Sequence, residues 1–205
     1  MNQKTIKNAV VLSGIGIHSG KKVNLKIKPA SEDTGIQFIR TDLNHTSIPV
    51  HPKSLDTTKR ATRLSHNNAS ITTPEHLLAA CAGLGISNLI IETDNEEIPI
   101  LDGSAKPFVN AIIKAGITQQ HKTLSPYIIS TPIYINHHHQ TIIALPAPYT
   151  TFSYHLHPPK PFITHQFTQW NPSDQTNFIK TISQARTFGL YSEIQDLLNQ
   201  GLALG

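Results

Sequence analysis

The sequence predicts an α+β chain built in two parts, and three observations carry that expectation. Strict polar–apolar alternation, as in Val23-Asn24-Leu25-Lys26-Ile27-Lys28-Pro29, marks half-buried strands. Apolar residues at helical spacing around Leu77 and again around Phe108 mark amphipathic helices. Residues 117–125 are polar and without periodicity, which places a boundary near His121.

At 205 residues the chain can bury a sizeable core. Only 15% of it is charged, so the surface must lean on Asn, Gln, Ser, Thr and His. The net charge of +4 suits an anionic ligand, but the basic residues do not cluster into a nucleic-acid patch, and no nucleic-acid partner is expected. Cys81 is the only cysteine; it excludes an internal disulfide and reads as a packed thiol. Residues 1–8 lack the apolar run of a signal peptide, and no stretch approaches the roughly 20 apolar residues that span a bilayer. These features predict a soluble, reducing, cytoplasmic setting without stable membrane insertion.

The best-specified element is Thr72-Thr73-Pro74-Glu75-His76-Leu77-Leu78-Ala79-Ala80-Cys81-Ala82-Gly83. Thr73 is expected to N-cap a helix, with Pro74 at its first position and Gly83 as its left-handed exit. Leu77, Cys81 and Leu84 form the stripe that enters a core. Glu75 and His76 then lie at the positive end of the helix dipole, which favours a carboxylate and a neutral imidazole. A neutral imidazole is the metal-binding form, and a neighbouring carboxylate can act as base to a metal-bound water. Taken alone, the pair reads first as a helix start at the edge of a core.

The other elements follow in order. Ala9-Val10-Val11-Leu12 opens a strand that runs into Gly14-Ile15-Gly16-Ile17-His18-Ser19-Gly20; no helix follows, so this is a hairpin turn or bulge with His18 packed in it. Ile36-Gln37-Phe38-Ile39-Arg40 is a strand, with short ones at 48–51 and 63–65. Leu89-Ile90-Ile91-Glu92 reads as a strand covered on both faces. Asn95-Glu96-Glu97 is a turn. Asp102 and Ser104 read as turn and cap for a helix carrying Phe108, Val109, Ile112 and Ile113, ended by Gly116.

In the second part, Tyr127-Ile128-Ile129 precedes a hairpin of Ile133-Tyr134-Ile135 against Thr141-Ile142-Ile143-Ala144-Leu145. His137, His138 and His139 occupy its turn and read as solvated. A strand at 151–156 is broken by His157-Pro158-Pro159-Lys160-Pro161, and extended structure resumes at 165–170. Asp174 is a plausible cap for a helix carrying Phe178, Ile179 and Ile182, closed by Ala185-Arg186-Thr187-Phe188-Gly189. A further amphipathic stretch starts at Ser192 or Glu193, before the apolar tail Gly201-Leu202-Ala203-Leu204-Gly205.

Five of these segments stand in the order and spacing of one enzyme family: 14–20, Thr73-Pro74-Glu75-His76-Leu77-Leu78, 82–88, 98–108 and Ser183-Gln184-Ala185-Arg186-Thr187-Phe188-Gly189. From about Lys4 to Gly205 the chain resembles the UDP-3-O-acyl-N-acetylglucosamine deacetylases, zinc amidases of bacterial lipid A synthesis. The resemblance implies two similar sheet-plus-helix domains, 1–121 and 122–205, with the active site between them and the second incomplete. It implies Glu75 as general base, His76 as a zinc ligand, and Thr187 as hydroxyl donor to the developing oxyanion. Phe188 would shape a substrate passage beside the Zn2+ cofactor. It further implies a UDP-sugar acylated substrate, acetate and a free amine as products, and a monomer in the full-length family.

The family's remaining zinc ligands stand in a His-Lys-x-x-Asp segment and its general acid in a Ser-Gly-His segment; neither occurs in this sequence. The sequence is therefore read as an amino-terminal fragment, inactive or nearly so by itself. The alternatives are an inactive remnant, a split subunit needing a carboxy-terminal partner chain, and a basic binding module.

Overall fold

The computed structural model describes residues 1–58, 60–157 and 164–205, with the Ser192 side chain left aside; the proline break at 158–161 lies outside the described residues. Contacts divide the chain into one unit of Met1–Thr123 with Gln175–Gly205 and another of Leu124–Asp174. This differs from a split into 1–121 and 122–205, because the last 31 residues share the contacts of the first unit.

In the first unit, β1 (Asn2–Ile6), β2 (Val10–Ile15), β3 (Lys22–Pro29), β4 (Ile36–Arg40) and β5 (Thr46–Pro49) come first. Then follow β6 (Leu55–Asp56), β7 (Arg63–His66), β8 (Ala69–Thr72), α1 (Glu75–Leu84), β9 (Leu89–Thr93), α2 (Lys106–Ala115) and β10 (Ile117–Thr123). The main sheet runs β2-β3-β9-β4-β5, antiparallel except where β4 lies parallel to β9. The alternation of β3 holds through its middle: Val23, Leu25 and Ile27 are fully buried and the residues between them face water. β9 also alternates, burying Leu89, Ile91 and Thr93 but leaving Ile90 and Glu92 half-buried, so its apolar run is fully covered on one face only. Glu92 is half-buried because Lys28 of β3 pairs with it.

The polar segment after Gly116 is a strand, β10, and the boundary between the units falls directly after it, between Thr123 and Leu124. β10 pairs antiparallel with β1, and polar side chains tie the pair to the main unit. Asn88 Nδ2 donates to Gln3 Oε1 and to Gln120 Oε1, both at 2.7 Å, and the Thr5 hydroxyl donates to the Asn88 carbonyl at 2.7 Å. Hydrophobic periodicity cannot announce a strand held by backbone pairing and an amide network. The sequence reading also misses β8, which forms a tight hairpin with β7 through Asn67 and Asn68, both left-handed, as asparagine tolerates.

α1 and α2 pack together, with α3 (Gln175–Lys180) against α1. Gly85, φ +68°, and not Gly83, ends α1 in the left-handed region, its N–H reaching the Ala82 and Cys81 carbonyls. Gly83 is instead a buried notch in which the Phe178 ring sits, and a Cβ there would run into the ring. On α2, Phe108, Val109 and Ile112 are fully buried, whereas Ile113 turns outward. The helix expected to continue through Ile182 stops at Lys180. Thr181 and Ser183 donate their hydroxyls back to the Asn177 and Ile179 carbonyls, and a 3-10 turn follows over Ile182–Gln184. α4 (Tyr191–Asn199) closes the unit.

The second unit holds two antiparallel hairpins: β11 (Ile133–His137) with β12 (Gln140–Ala144), and β13 (Phe152–Leu156) with β14 (Gln166–Trp170). His138, left-handed at φ +51°, makes the first hairpin's two-residue turn. Phe152 and Trp170 stack with ring centres 5.7 Å apart. Nearly every described residue of this unit is exposed.

Candidate active site

Glu75 is the first residue of α1, and His76 follows it; both are half-buried. Neither is placed by a conventional side-chain cap. Pro74 occupies the N-cap position, and Thr73 sits one residue earlier with φ +58° and 3% exposure. A threonine in the left-handed region is strained, at a cost of about 1–2 kcal/mol, so its surroundings must hold it there. The Thr73 N–H donates to the Thr62 carbonyl at 2.9 Å, and its hydroxyl donates to Glu97 Oε1 at 3.3 Å. The expected N-cap is therefore replaced by a side chain turned to Glu97. The Thr62 N–H in turn donates to Glu75 Oε2 at 3.3 Å, so Thr62 braces the carboxylate.

Glu97 is the residue that sequence reasoning passed over, as a turn position. It is 1% exposed and accepts three hydrogen bonds: from the His18 and Ser19 backbone N–H groups, both at 2.8 Å, and from Thr73. A buried carboxylate needs such donors to offset its lost hydration. Gly16 leaves the room it occupies, since a Cβ there would meet the carboxylate. The signal in the sequence was a glutamate immediately before Ile98-Pro99-Ile100, an acid leading an apolar run.

Thr187 and Phe188 lie on a different segment. The Thr187 N–H donates to the Gly103 carbonyl at 2.8 Å, and its side chain is exposed. Asp102 Oδ1 accepts from the Ser104 N–H at 3.0 Å and from the Ser104 hydroxyl at 2.7 Å, which fixes the Asp102-Gly103-Ser104 turn beneath Thr187. Ser104 also accepts from the Lys106 N–H at 3.1 Å, giving α2 its start. Phe188 is 63% exposed. No hydrogen bond or ion pair among the described residues joins Glu75 or His76 to Thr187 or Phe188. A depression of about 490 Å³ is lined by Arg60, Glu193, Asp196, Leu197 and Gln200, and none of the four expected site residues borders it.

A catalytic zinc takes three protein ligands and an open position. Among the described residues no three His, Cys, Asp or Glu side chains stand together in a way that could hold a metal. Burial pushes the Cys81 thiol up to about 12, as suits a packed core thiol. The described residues therefore do not by themselves complete a catalytic zinc site.

The sequence model of the LpxC family, UDP-3-O-acyl N-acetylglycosamine deacetylase, matches residues 3–205. The chain belongs to this deacetylase family. Among curated relatives it is 44% identical over 203 residues to a UDP-3-O-acyl-N-acetylglucosamine deacetylase of Thermodesulfovibrio yellowstonii, covering 99% of this chain and 69% of that protein. A deacetylase of the same description from Geotalea uraniireducens is 38% identical over 99% of this chain and 66% of its own length. One from Nostoc sp. is 38% identical over 100% of this chain and 75% of its own. The chain thus spans about two thirds of the length of these family members. No helix among the described residues is long and apolar enough to cross a membrane.

Proposed function

We propose that the chain supplies the Glu75–His76 and Thr187 parts of a deacetylase acting on a UDP-3-O-acyl-N-acetylglucosamine substrate in lipid A biosynthesis. The observation that carries this reading is the Glu75–His76 pair, at a helix start braced by Thr62 and Thr73, within a family match from residue 3 to residue 205. Glu75 takes the proton of the attacking water. The Thr187 hydroxyl donates to the acetamide oxygen as it becomes an oxyanion. The C–N bond breaks as the nitrogen takes up a proton, which the family's general acid outside this sequence would supply, and acetate and the free amine leave. Phe188, exposed beside Thr187, is suited to the acyl chain of the substrate.

Zinc is the cofactor we infer, with His76 as the residue here that would ligate it; no step above passes through the metal. We also infer that the protein acts in the cytoplasm as a monomer and without a nucleic-acid partner, the last supported by its dispersed basic residues.

The test joins residues 1–205 to the part of the Thermodesulfovibrio yellowstonii relative that the match leaves uncovered and measures acetate release with zinc present. Glu75→Gln is expected to lower kcat by about 10²–10⁴. Thr187→Val is expected to lower it by about 10²–10³. The 205-residue chain by itself is expected to be inactive or nearly so, a view that fails if it deacetylates with zinc bound one to one. A chimera without activity, or one that Glu75→Gln leaves unchanged, overturns the proposed roles.

A further inference from the structure

We propose that Glu97 is a positioning residue, whose buried carboxylate locks Thr73 in its left-handed conformation and thereby fixes how α1 presents Glu75 and His76. This rests on the catalytic reading of that pair. The chain of contacts is continuous. The Gly16–Gly20 turn, closed by the Gly20 N–H donating to the Gly16 carbonyl at 3.0 Å, offers the His18 and Ser19 amides to Glu97. Glu97 accepts from the Thr73 hydroxyl, the Thr73 N–H holds the Thr62 carbonyl, and the Thr62 N–H returns to the Glu75 carboxylate.

The backbone just before Thr73 is pinned as well. Thr72 forms a parallel bridge with Glu97, its N–H reaching the Glu96 carbonyl at 2.7 Å, while the Ile98 N–H reaches the Thr72 carbonyl at 3.0 Å. These bonds fix Thr72 but leave the sign of φ at Thr73 free. The side-chain bond to Glu97 is the contact that selects the unfavourable one. A carboxylate suits this place better than an amide, because both amides and the hydroxyl are donors and all three need acceptor oxygens.

The test uses amide hydrogen exchange on the folded 205-residue chain, followed residue by residue. Glu97→Gln keeps the shape but turns one acceptor oxygen into a donor. Exchange at His18, Ser19 and Thr62 is expected to rise about tenfold, with the Leu25 and Ile91 amides of the main sheet unchanged. Should that variant not fold, Thr73→Ala cuts only the link. Thr62 exchange is then expected to rise about tenfold while His18 and Ser19 stay protected, and Thr73→Ser, which keeps the hydroxyl, is expected to restore Thr62 protection. An unchanged Thr62 amide in Thr73→Ala overturns the proposal. Acceleration spread evenly over Leu25 and Ile91 also overturns it, because Glu97 would then be a general stability residue.

Activity in the chimera supplies a separate arm. Thr73→Ala is expected to lower kcat about tenfold with KM unchanged, and Thr73→Ser to recover it. If Glu75→Gln has no effect there, the catalytic reading falls while the exchange result still decides whether Glu97 holds the helix start.

Discussion

β3 and β11 are both hairpin strands that carry three large apolar or aromatic residues, yet those residues meet opposite fates. Val23, Leu25 and Ile27 of β3 are completely buried, whereas Ile133, Tyr134 and Ile135 of β11 are 46%, 61% and 56% exposed. The difference lies in what each strand has beside it. β3 is an inner strand of a five-stranded sheet, paired with β2 and β9, while among the described residues β11 pairs with β12 alone. An isolated two-stranded hairpin is marginal in water, because pairing one edge does not cover a face. Apolar residues in a strand therefore do not specify what covers them, and the two units should differ sharply in how firmly they are folded.

Excision makes the largest difference. A peptide of residues 124–174 is expected to show no cooperative thermal transition by circular dichroism, whereas the full chain unfolds cooperatively; a sharp transition in the peptide would erase the contrast. Next come single truncations read as shifts in denaturant midpoint. Phe38→Ala, in the buried core, is expected to cost about 3–5 kcal/mol. Phe167→Ala, 66% exposed in the second unit, is expected to cost under about 0.5 kcal/mol. Gly83→Ala sharpens the point within the first unit. Alanine normally favours a helix over glycine by about 1 kcal/mol, but the Phe178 ring occupies the space, so a net loss of about 1–3 kcal/mol is expected.

Two pH effects follow. The Cys81 thiol, raised by burial from an ordinary 9.0 to about 12, keeps its proton in the folded chain after the unfolded chain has lost it. Its contribution is present below about pH 9 and is lost as pH rises toward 12. The folded protein should accordingly resist thiol reagents at pH 8, and the urea-unfolded protein should react. The smallest effect belongs to the exposed pair that ties the turn at Asp33 to β10. The hydrogen bond from Lys122, joined by one from Gln3, holds Asp33 below its ordinary 3.8. The stabilisation is present above the ordinary carboxylate range and fades as pH falls through the lowered value. Lys122, raised by the same hydrogen bond, loses its part as pH climbs through its raised value. Lys122→Ala should move the Asp33 carboxyl titration upward in a carbon NMR experiment.

Much of the first unit was legible beforehand. β3, β4, α1 and α2 announce themselves through periodicity, because each buries one face and the pattern records which. Glu75 and His76 could be singled out because a helix start has chemical consequences that local sequence carries. β10 and β8 were not legible, since one is specified by an amide network with Gln3 and Asn88 and the other by pairing across an Asn-Asn turn. Thr73 was misread for a related reason. Its residue type suits a cap, and only the arrival of Glu97 from 24 positions away gives its hydroxyl another partner.

The sequence by itself determined the strand and helix periods, the family, and the residues on which a catalytic reading rests. Tertiary structure decided which apolar strands are covered, that Gly83 is a notch for Phe178 while Gly85 ends the helix, and that Glu97 holds the start of α1. The physical reason is one of range. Period and propensity act between residues a few positions apart, whereas covering a face or satisfying a buried carboxylate depends on groups that only the folded chain brings together.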